Sequence, residues 1–297
     1  MAKVHRFVSN DFTVRAAAVI ATDVVQEMQN IQKSLPLATM GVGRAMVGAL
    51  LMASHLKEGQ EVGVLFKGNG PLGSIYAEAS FEGQVRGYCP NPHYIAPNPE
   101  DILSLGKALG FGNMTVSRHQ PFQRQPFQGM VSMVSGEIGD DIAHYLLQSQ
   151  QIRSVVSLGV YFDTQGKAIS AGGVLVEVMP GVEDAVVAKI ENNVKSQKIH
   201  VSKMIVDGAG PADILTPFMK GIAFTEIPHE HTIQYFCPCT NDRVKRALGI
   251  LGQKDIEEMI NENQMIKVGC QVCGRSYDVT IEELKALKEE LHKNSLH

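Results

Sequence analysis

Four of the five cysteines lie near the carboxyl end of the chain, in two short pairs. One pair is the Cys-Pro-Cys sequence at 237–239, and the other is the Cys-Gln-Val-Cys sequence at 270–273. Two thiol pairs on separate turns can present four sulfurs to one tetrahedral zinc ion. The spacing therefore predicts one zinc ion per chain in the reduced form. Its predicted ligands are Cys237, Cys239, Cys270 and Cys273.

The first pair has an unusual spacing, since structural zinc sites commonly have two to four residues between paired ligands. With one residue between them, Cys237 and Cys239 can form only a small strained disulfide ring, and strained bridges are easily reduced. Thiolates are also the form of cysteine that oxidants attack. Gly269 and Gly274 flank the second pair, and we expect them to give its turn backbone freedom. Both a structural zinc site and an oxidant-sensitive zinc switch fit this pattern.

The segment that holds both pairs, residues 232–297, is small and highly charged. It has 9 Lys or Arg and 10 Asp or Glu among its 66 residues, which leaves little apolar material for a core. A unit of this size obtains only a few kcal/mol from its core, whereas zinc binding contributes on the order of 10 to 16 kcal/mol. We therefore expect residues 232–297 to form a zinc-binding domain that loses its fold without the metal.

Residues 1–180 are predicted to form an α+β core domain, because strands come in runs rather than in alternation with helices. Strands are predicted at 13–20, 62–67, 74–79, 84–88, 115–118, 127–132, 154–162 and 168–179. Helices are predicted at 24–31, 38–56 and 138–148, and a further short helix is predicted at 183–194, in the segment that follows this domain. Asp23 is expected to cap the first helix.

Residues 68–73 match the G-x-G-x-x-G pattern of dinucleotide-binding sites. Such a site needs the glycines to open a helix after a strand, but here Pro71 and a strand-like run follow. We therefore interpret the segment as a hairpin turn.

Residues 181–231 are predicted to form a metastable helical linker between the two domains. Glycine and proline interrupt this segment repeatedly, at Gly208, Gly210, Pro211, Pro217, Gly221 and Pro228. Isolated helices shorter than about 12 to 15 residues are marginal in water. The linker must therefore take its order from the surface on which it docks.

Composition excludes several classes of protein. The chain has 297 residues, a net charge of −4 and 44% hydrophobic residues, so a folded protein is expected and a phosphate-tracking nucleic-acid binder is not. Five cysteines are too few for a secreted disulfide framework. The apolar stretch 35–56 contains Arg44 and many small residues, which favours an interior helix over a membrane span. We expect a cytoplasmic protein without a membrane partner.

Several motifs together resemble the redox-regulated holdase family, the 33 kDa chaperonin or heat shock protein 33. They are the cysteine pairs, Gly-Pro-Leu-Gly at 70–73, Val-Arg-Gly-Tyr at 85–88, Ser-Gly-Glu-Ile at 135–138, Ser-Leu-Gly-Val at 157–160 and Ala-Gly-Gly at 171–173. The resemblance covers essentially the whole chain. It departs from the family at Thr240, where Ser is usual, and at 149–151, where a Glu is usual.

This resemblance implies a chaperone that is inactive when reduced and zinc-bound and that holds unfolding proteins once oxidised. It further implies that oxidation ejects zinc, forms Cys237–Cys239 and Cys270–Cys273 disulfides and leads to a homodimer. The sequence alone allows three disulfide connectivities. The expected client-binding residues lie in the linker, and they are Val187, Ile190, Val194, Ile214, Leu215 and Phe218.

Two other functions were weighed against this one. A zinc ribbon that binds nucleic acid is indicated by Arg243, Lys245, Arg246 and Lys254, but the acids of this unit offset its bases. A thiol-disulfide oxidoreductase needs a low-pKa attacking thiol in a βαβ setting, and the sequence has no such pattern. We therefore expect a protein that is not an enzyme.

The remaining candidate residues are given structural interpretations. Cys89 is expected to be a lone buried thiol rather than a second redox site. His229 and His231 are not expected to bind zinc, because four thiols already complete a ligand set.

Overall fold

Two β-sheets enclose a long apolar helix in the larger part of the chain. The structure is a computed structural model that describes residues 2–123, 125–262 and 265–294. The chain divides into two compact units, Met1–Phe236 and Cys237–His297.

The first unit contains strands and helices in mixed order. Its strands are β1 (Val4–Ser9), β2 (Val14–Ile20), β3 (Glu61–Gly68), β4 (Ser74–Ser80), β5 (Gln84–Tyr88), β6 (Gly112–His119), β7 (Phe127–Ser132), β8 (Ser154–Phe162), β9 (Ala168–Val178), β10 (Phe224–Ile227) and β11 (Gln234–Tyr235). Its helices are α1 (Thr22–Gln32), α2 (Pro36–Ala53), α3 (Leu105–Leu109), α4 (Gly139–Gln150), α5 (Asp184–Ser196), α6 (Val201–Val206) and α7 (Pro211–Leu215), with a 3₁₀ turn at Pro99–Asp101.

The strands form two sheets. The five-stranded sheet has the order β10-β1-β2-β9-β8, and all of its neighbours are antiparallel. The six-stranded sheet has the order β11-β5-β4-β3-β6-β7 and is antiparallel except for the short parallel pair β11–β5. Largely antiparallel sheets with helices packed against them confirm the predicted α+β class.

Helix α2 lies between the two sheets and forms the centre of the first core. Sixteen of its 18 residues are buried, and it begins with Pro36, a residue that suits the first helical turn. Among the described residues it is the helix long and apolar enough to cross a membrane, but 89% of that stretch is buried inside the protein. The apolar stretch is therefore an interior helix, as its small residues and Arg44 predicted. A Cβ at Gly48 would lie 2.4 Å from Ile142 Cδ1, so a larger residue there would displace the Ile142 side chain of α4.

Residues 181–222 cover the other face of the five-stranded sheet. We call the resulting apolar cluster the linker-docked face. Its buried members are Phe7, Val14, Ala16, Ala18, Val174, Val176, Val178, Ile190, Val201, Ile214, Leu215, Phe218 and Met219. Helix α6 approaches the sheet so closely that a Cβ at Gly159 would lie 2.7 Å from Ser202 Cβ. The helices of this segment are thus ordered by the sheet on which they pack.

Two local predictions have opposite outcomes. Asp23 does not cap α1, because the helix begins one residue earlier, at Thr22, with Ala21 at the cap and no side-chain hydrogen bond there. The G-x-G-x-x-G segment is a hairpin turn, as predicted: β3 and β4 pair antiparallel on either side of it, and Gly68 N–H donates to Gly73 O at 2.9 Å. The prediction of a turn relied on the strand that follows it, which the sequence identified correctly.

The second unit is small. It consists of α8 (Asn241–Gly249), α9 (Gln253–Asn261), a hairpin of β12 (Ile266–Gly269) and β13 (Ser276–Val279), and α10 (Ile281–Asn294). Among its described residues, the buried core consists of Val244, Leu248, Ile256, Val279 and Leu284. The division into residues 1–180, 181–231 and 232–297 remains a prediction, since 181–231 packs within the first unit here.

Candidate metal centre

The four carboxyl-terminal cysteines converge at one point of the second unit. The Sγ atoms of Cys237, Cys239, Cys270 and Cys273 all lie within 4.8 Å of one another. Cys237 Sγ is 3.2 Å from Cys239 Sγ and 3.9 Å from Cys270 Sγ, and the last two sulfurs are 3.2 Å apart. The structure therefore brings together, across more than 30 residues of sequence, the four side chains that the spacing predicted.

This arrangement fits a tetrahedral thiolate site. At a zinc–sulfur distance of about 2.3 Å, the sulfurs of a regular tetrahedron are about 3.8 Å apart. The observed separations of 3.2 to 3.9 Å lie around that value. They do not favour one disulfide pairing, since Cys239 Sγ is equally close to Cys237 and to Cys270.

The first loop is held by a helix that starts directly after it. Thr240 is the N-cap of α8, and its Oγ1 accepts a hydrogen bond from the Arg243 N–H at 3.3 Å. A capping hydroxyl satisfies one of the unpaired amides at a helix start and fixes the chain that enters the helix. Sequence reasoning treated Thr240 only as a departure from the family. The signal that identifies its role is a threonine immediately before a charged, helix-forming run.

The second loop is the turn of the β12–β13 hairpin. Cys270 N–H donates to Arg275 O at 2.8 Å, and Gly274 N–H donates to Cys270 O at 2.9 Å. Gly274 has φ +68°, a left-handed conformation that favours glycine, as predicted. The same expectation for Gly269 is wrong, because that residue pairs with Ser276 as the end of β12.

The cysteines of the cluster affect one another's ionisation. Burial raises the pKa of Cys239, and hydrogen bonds and negative charge from Cys237 and Cys270 raise it further. Burial also raises the pKa of Cys273. Burial acts on Cys270 in the same direction, but hydrogen bonds from backbone amides and from Cys239 outweigh it and lower its pKa to about 7. Crowded thiols oppose one another's ionisation, and a bound divalent cation reverses that effect.

Ion pairs join the helices around the site. Lys245 Nζ is 2.9 Å from Glu283 Oε1, and Lys288 Nζ is 2.9 Å from Glu257 Oε1. These pairs connect α8 and α9 to α10. Lys245, one of the bases considered for nucleic-acid binding, is therefore already partnered by a carboxylate, which weakens that alternative.

The other predicted residues lie in the first unit. Ile190, Ile214, Leu215 and Phe218 are buried in the linker-docked face, Val187 is half-buried against it, and Val194 is 36% exposed. Cys89 is buried, and its thiol donates a weak hydrogen bond to Leu72 O. The rings of His229 and His231 pack edge to face on Phe81, and they are not part of the four-cysteine group.

Comparison with known proteins covers nearly the whole chain. Residues 2–280 match the family model described as Hsp33 protein. The chain belongs to the Hsp33 family. It is 37% identical over 284 residues to the 33 kDa chaperonin of Synechococcus sp. strain JA-3-3Ab, covering 95% of this chain and 88% of that one. It is also 37% identical over 278 residues to the 33 kDa chaperonin of Thermodesulfovibrio yellowstonii, covering 94% and 96%.

A solved structure agrees with this assignment to Hsp33. The crystal structure of the 33 kDa chaperonin (heat shock protein 33 homolog) from Thermotoga maritima matches with a TM-score of 0.85 at 32% identity. The match covers 98% of this chain and 99% of that one. Hsp33 relatives carry the name of a chaperone rather than of an enzyme, and this supports a chaperone function. The four-cysteine cluster fits zinc binding and redox-active disulfides.

Proposed function

We propose that the chain is a redox-regulated holdase, which binds unfolding proteins once its cysteine cluster is oxidised. The observation that carries this proposal is the convergence of four thiols within 4.8 Å in a unit with five buried core residues among those described. A unit this small needs an additional constraint to stay folded. Here that constraint is built from side chains that an oxidant attacks.

The proposed metal is zinc, bound by Cys237, Cys239, Cys270 and Cys273. When bound, zinc would hold all four sulfurs as thiolates and tie the two loops together. The proposed pairing on oxidation is Cys237–Cys239 and Cys270–Cys273. Each disulfide forms from two thiolates and one hydrogen peroxide, which takes up two electrons and two protons and leaves as two water molecules. The paired sulfurs no longer carry the charge that binds a cation, so the second unit loses its constraint.

The proposed consequence is exposure of the linker-docked face. Helices α6 and α7 have six and five residues, too few to persist away from the sheet. The chain then continues through β10, which pairs with β1 over four residues at the edge of the sheet, and β11, which pairs over two residues and ends two positions before Cys237. Unfolding beyond Cys237 frees this weakly held segment and favours detachment of residues 181–231. Ile190, Ile214, Leu215 and Phe218 then become available to the apolar surfaces of client proteins.

The test follows three signals during oxidation of the full zinc-loaded chain. Peroxide is added under mild unfolding stress, and zinc release, free thiols and suppression of aggregation of a heat-unfolded client protein are measured together. We expect four thiols to be lost as zinc leaves and as aggregation is suppressed. Full activity of the reduced chain, or oxidation without zinc release, would contradict the proposal.

A pair of neighbouring asparagines tests the role of the linker. Asn193 is buried and its Nδ2 donates to Phe218 O at 2.9 Å and to Lys220 O at 3.0 Å, whereas Asn192 is exposed. Asn193→Ala leaves both carbonyls without this donor, so we expect activity at a lower peroxide dose. Asn192→Ala is the matched control and should behave like the unmodified chain. Equal dose dependence for both variants would show that client binding does not depend on detachment of the linker, and would contradict the proposal.

The finer parts of the proposal have assays of their own. Dimerisation on activation is checked by sedimentation before and after oxidation. The two alternatives predict different activities: salt-dependent nucleic-acid binding for a zinc ribbon, and catalytic turnover of a small disulfide for an oxidoreductase. Neither alternative predicts that oxidation creates affinity for unfolded proteins. A cytoplasmic location remains part of the proposal, and cell fractionation tests it.

A further inference from the structure

A polar cavity of about 270 Å³ lies within the first unit, away from the linker-docked face. Its polar lining comes from both sheets and from the ends of two helices. Arg15 on β2 and Glu177 on β9 belong to the five-stranded sheet, and Arg118 on β6 belongs to the six-stranded sheet. His55 follows α2, and Gln150 ends α4. The metal-centre proposal and the chaperone proposal do not use this cavity.

The cavity carries an excess of positive charge. Glu177 is the one carboxylate among its lining residues, and its side chain is 3% exposed. Arg15 Nε donates to Glu177 Oε2 at 2.6 Å, so this carboxylate already has a cationic partner. Arg118 adds a second guanidinium without a second acid. Burial and then the nearby charge of Arg15 lower the pKa of Arg6, which places a further cation close to the cavity.

Several buried donors in the cavity lack an acceptor. Arg118 Nε, Gln150 Nε2 and His55 Nε2 are buried and make no hydrogen bond to the described residues. The His55 side chain is 92% buried, and its Nε2 lies 3.3 Å from Glu177 Oε2 without the alignment of a hydrogen bond. Burial, followed by the charges of Arg15 and Arg6, lowers the pKa of His55 to about 3, so the ring is neutral at neutral pH. The Glu177 carboxylate beside Nε2 favours the tautomer that carries its proton on that nitrogen, which makes Nε2 a donor. Unmet buried donors are costly and call for a ligand rich in acceptors.

We propose that this cavity binds a small oxyanion, held between Arg15 and Arg118 with Gln150 and His55 as neutral donors. Carboxylate groups offer acceptor oxygens only and phosphate groups offer mainly acceptor oxygens, and guanidinium groups bind both through paired hydrogen bonds. Arg15 is about one third exposed, so an anion can reach the cavity from solvent. A metal cation does not fit, because the free groups are donors and the local charge is positive.

Binding in this cavity stabilises the sheet that carries the linker-docked face. Side chains alternate along a strand, so Val176 and Val178 face the linker while Glu177 faces the cavity. A ligand that binds only the folded first unit raises its stability by mass action. The proposal does not depend on the redox function, since it concerns groups remote in sequence from the cysteines.

The experiment titrates inorganic phosphate into the full, reduced, zinc-loaded chain and follows the phosphorus resonance. A parallel arm titrates acetate, followed by calorimetry, at matched ionic strength in chloride. We expect saturable binding of phosphate or acetate, and the tighter of the two identifies the anion class. Arg118→Gln should weaken binding about tenfold, the usual effect of losing a charge-assisted hydrogen bond.

Two further variants keep the test decisive. Gln150→Leu removes a neutral donor and should also weaken binding, which covers the case in which Arg118→Gln fails to fold. Arg153→Gln removes an exposed arginine that pairs with Asp184, and its binding should match that of the unmodified chain. The proposal fails if neither anion binds saturably. It also fails if Arg118→Gln and Gln150→Leu both fold and bind as tightly as Arg153→Gln.

Discussion

The two compact units are stabilised in different ways. In the first unit, α2 has sixteen of 18 residues buried between two sheets. In the second, α8 has two buried residues of nine, and α9 has one of nine. Burial of apolar area is the main stabilising contribution to a fold, so the first unit has a large reserve and the second has little. The first unit thus keeps its fold by packing, whereas the second has little packed core of its own, which is why we propose that a metal constrains it.

Removing the metal should have the largest effect, which begins in the second unit and reaches residues 181–231 of the first. Chelation, or the Cys270→Ser variant, removes a contribution of about 10 to 16 kcal/mol, more than a small unit's whole stability. We expect proteolytic cleavage to spread through the chain after residue 236 and into residues 181–231, while residues 1–180 stay resistant. Limited proteolysis with zinc analysis measures this outcome.

Cys89→Ser is the matched control for that experiment, because Cys89 is the cysteine outside the cluster. It should keep the full metal content. A second unit that stays protected in Cys270→Ser would mean that its five-residue core suffices, and the contrast between the units would disappear.

A substitution that creates a cavity in the first core should have the opposite effect to metal removal: it should destabilise the first unit and leave the metal site intact. Phe66 is fully buried, so Phe66→Ala should lower the stability of the first unit by about 3 to 5 kcal/mol. Zinc content should stay unchanged, because the four thiols belong to the other unit. Phe111 is 86% exposed, and Phe111→Ala should change stability by less than about 0.5 kcal/mol. Urea unfolding measures the two stabilities and metal analysis measures the zinc content, and loss of zinc in Phe66→Ala would show that the two units are not independent.

Acid should weaken the first unit through buried histidines. The pKa of His55 is lowered to about 3 by burial and nearby cations, and burial and Arg6 also lower the pKa of His229. An unfolded histidine has a pKa of about 6.5, so below that pH the unfolded chain binds more protons than the folded one. The contribution of these neutral histidines to the stability of the first unit is therefore fully present above about pH 6.5 and is lost as pH falls toward 3. For one such histidine, the free energy of unfolding falls by at most about 1.4 kcal/mol per pH unit.

Hydrogen exchange in α2 at pH 7, 6 and 5 measures this loss in the first unit. His55→Gln should flatten the pH dependence, whereas His93→Gln, at an exposed position, should leave it intact. A pH dependence that survives in His55→Gln at full strength would place the effect elsewhere.

The smallest expected effect concerns the cap beside the metal site. Thr240→Ala removes the hydroxyl that accepts from Arg243 N–H and should cost about 1 kcal/mol, or about fivefold in metal affinity. Thr240→Ser keeps the hydroxyl and should bind metal like the unmodified chain. Competition with a chelator measures both affinities. Equal affinity in Thr240→Ala would show that the loop holds its shape without the helix.

Sequence patterns predicted most strands and helices of the first unit, because alternation and helical periodicity are local properties. The predicted strands 84–88, 127–132 and 154–162 have the observed bounds of β5, β7 and β8. Strands β1, β10, β11, β12 and β13 were missed. Two of them illustrate why: β10 and β11 have four and two residues, and each pairs with a strand far away in sequence. Such short strands exist only because a sheet edge is available, and a window of sequence does not contain that edge.

Within the candidate site, the sequence identified the four cysteines but not what supports them. The spacing of thiols is visible in the chain because each pair lies within four residues. The Lys245–Glu283 pair joins residues 38 positions apart, and no local signal marks it. The structure also corrected Gly269, since strand pairing rather than turn geometry governs that position.

By itself, the sequence determined the four cysteines that form the cluster, the α+β class and the interior helix, and it predicted that residues 181–231 take their order from the sheet, since each depends on residue type and short spacing. Only the tertiary structure decided which sheet face the linker covers, and that Arg15, His55, Arg118, Gln150 and Glu177 line one cavity. These residues come from four separate elements and the loop after α2, and packing of the two sheets around α2 brings them together. Contacts of this kind are set by the whole core, which no short stretch of sequence encodes.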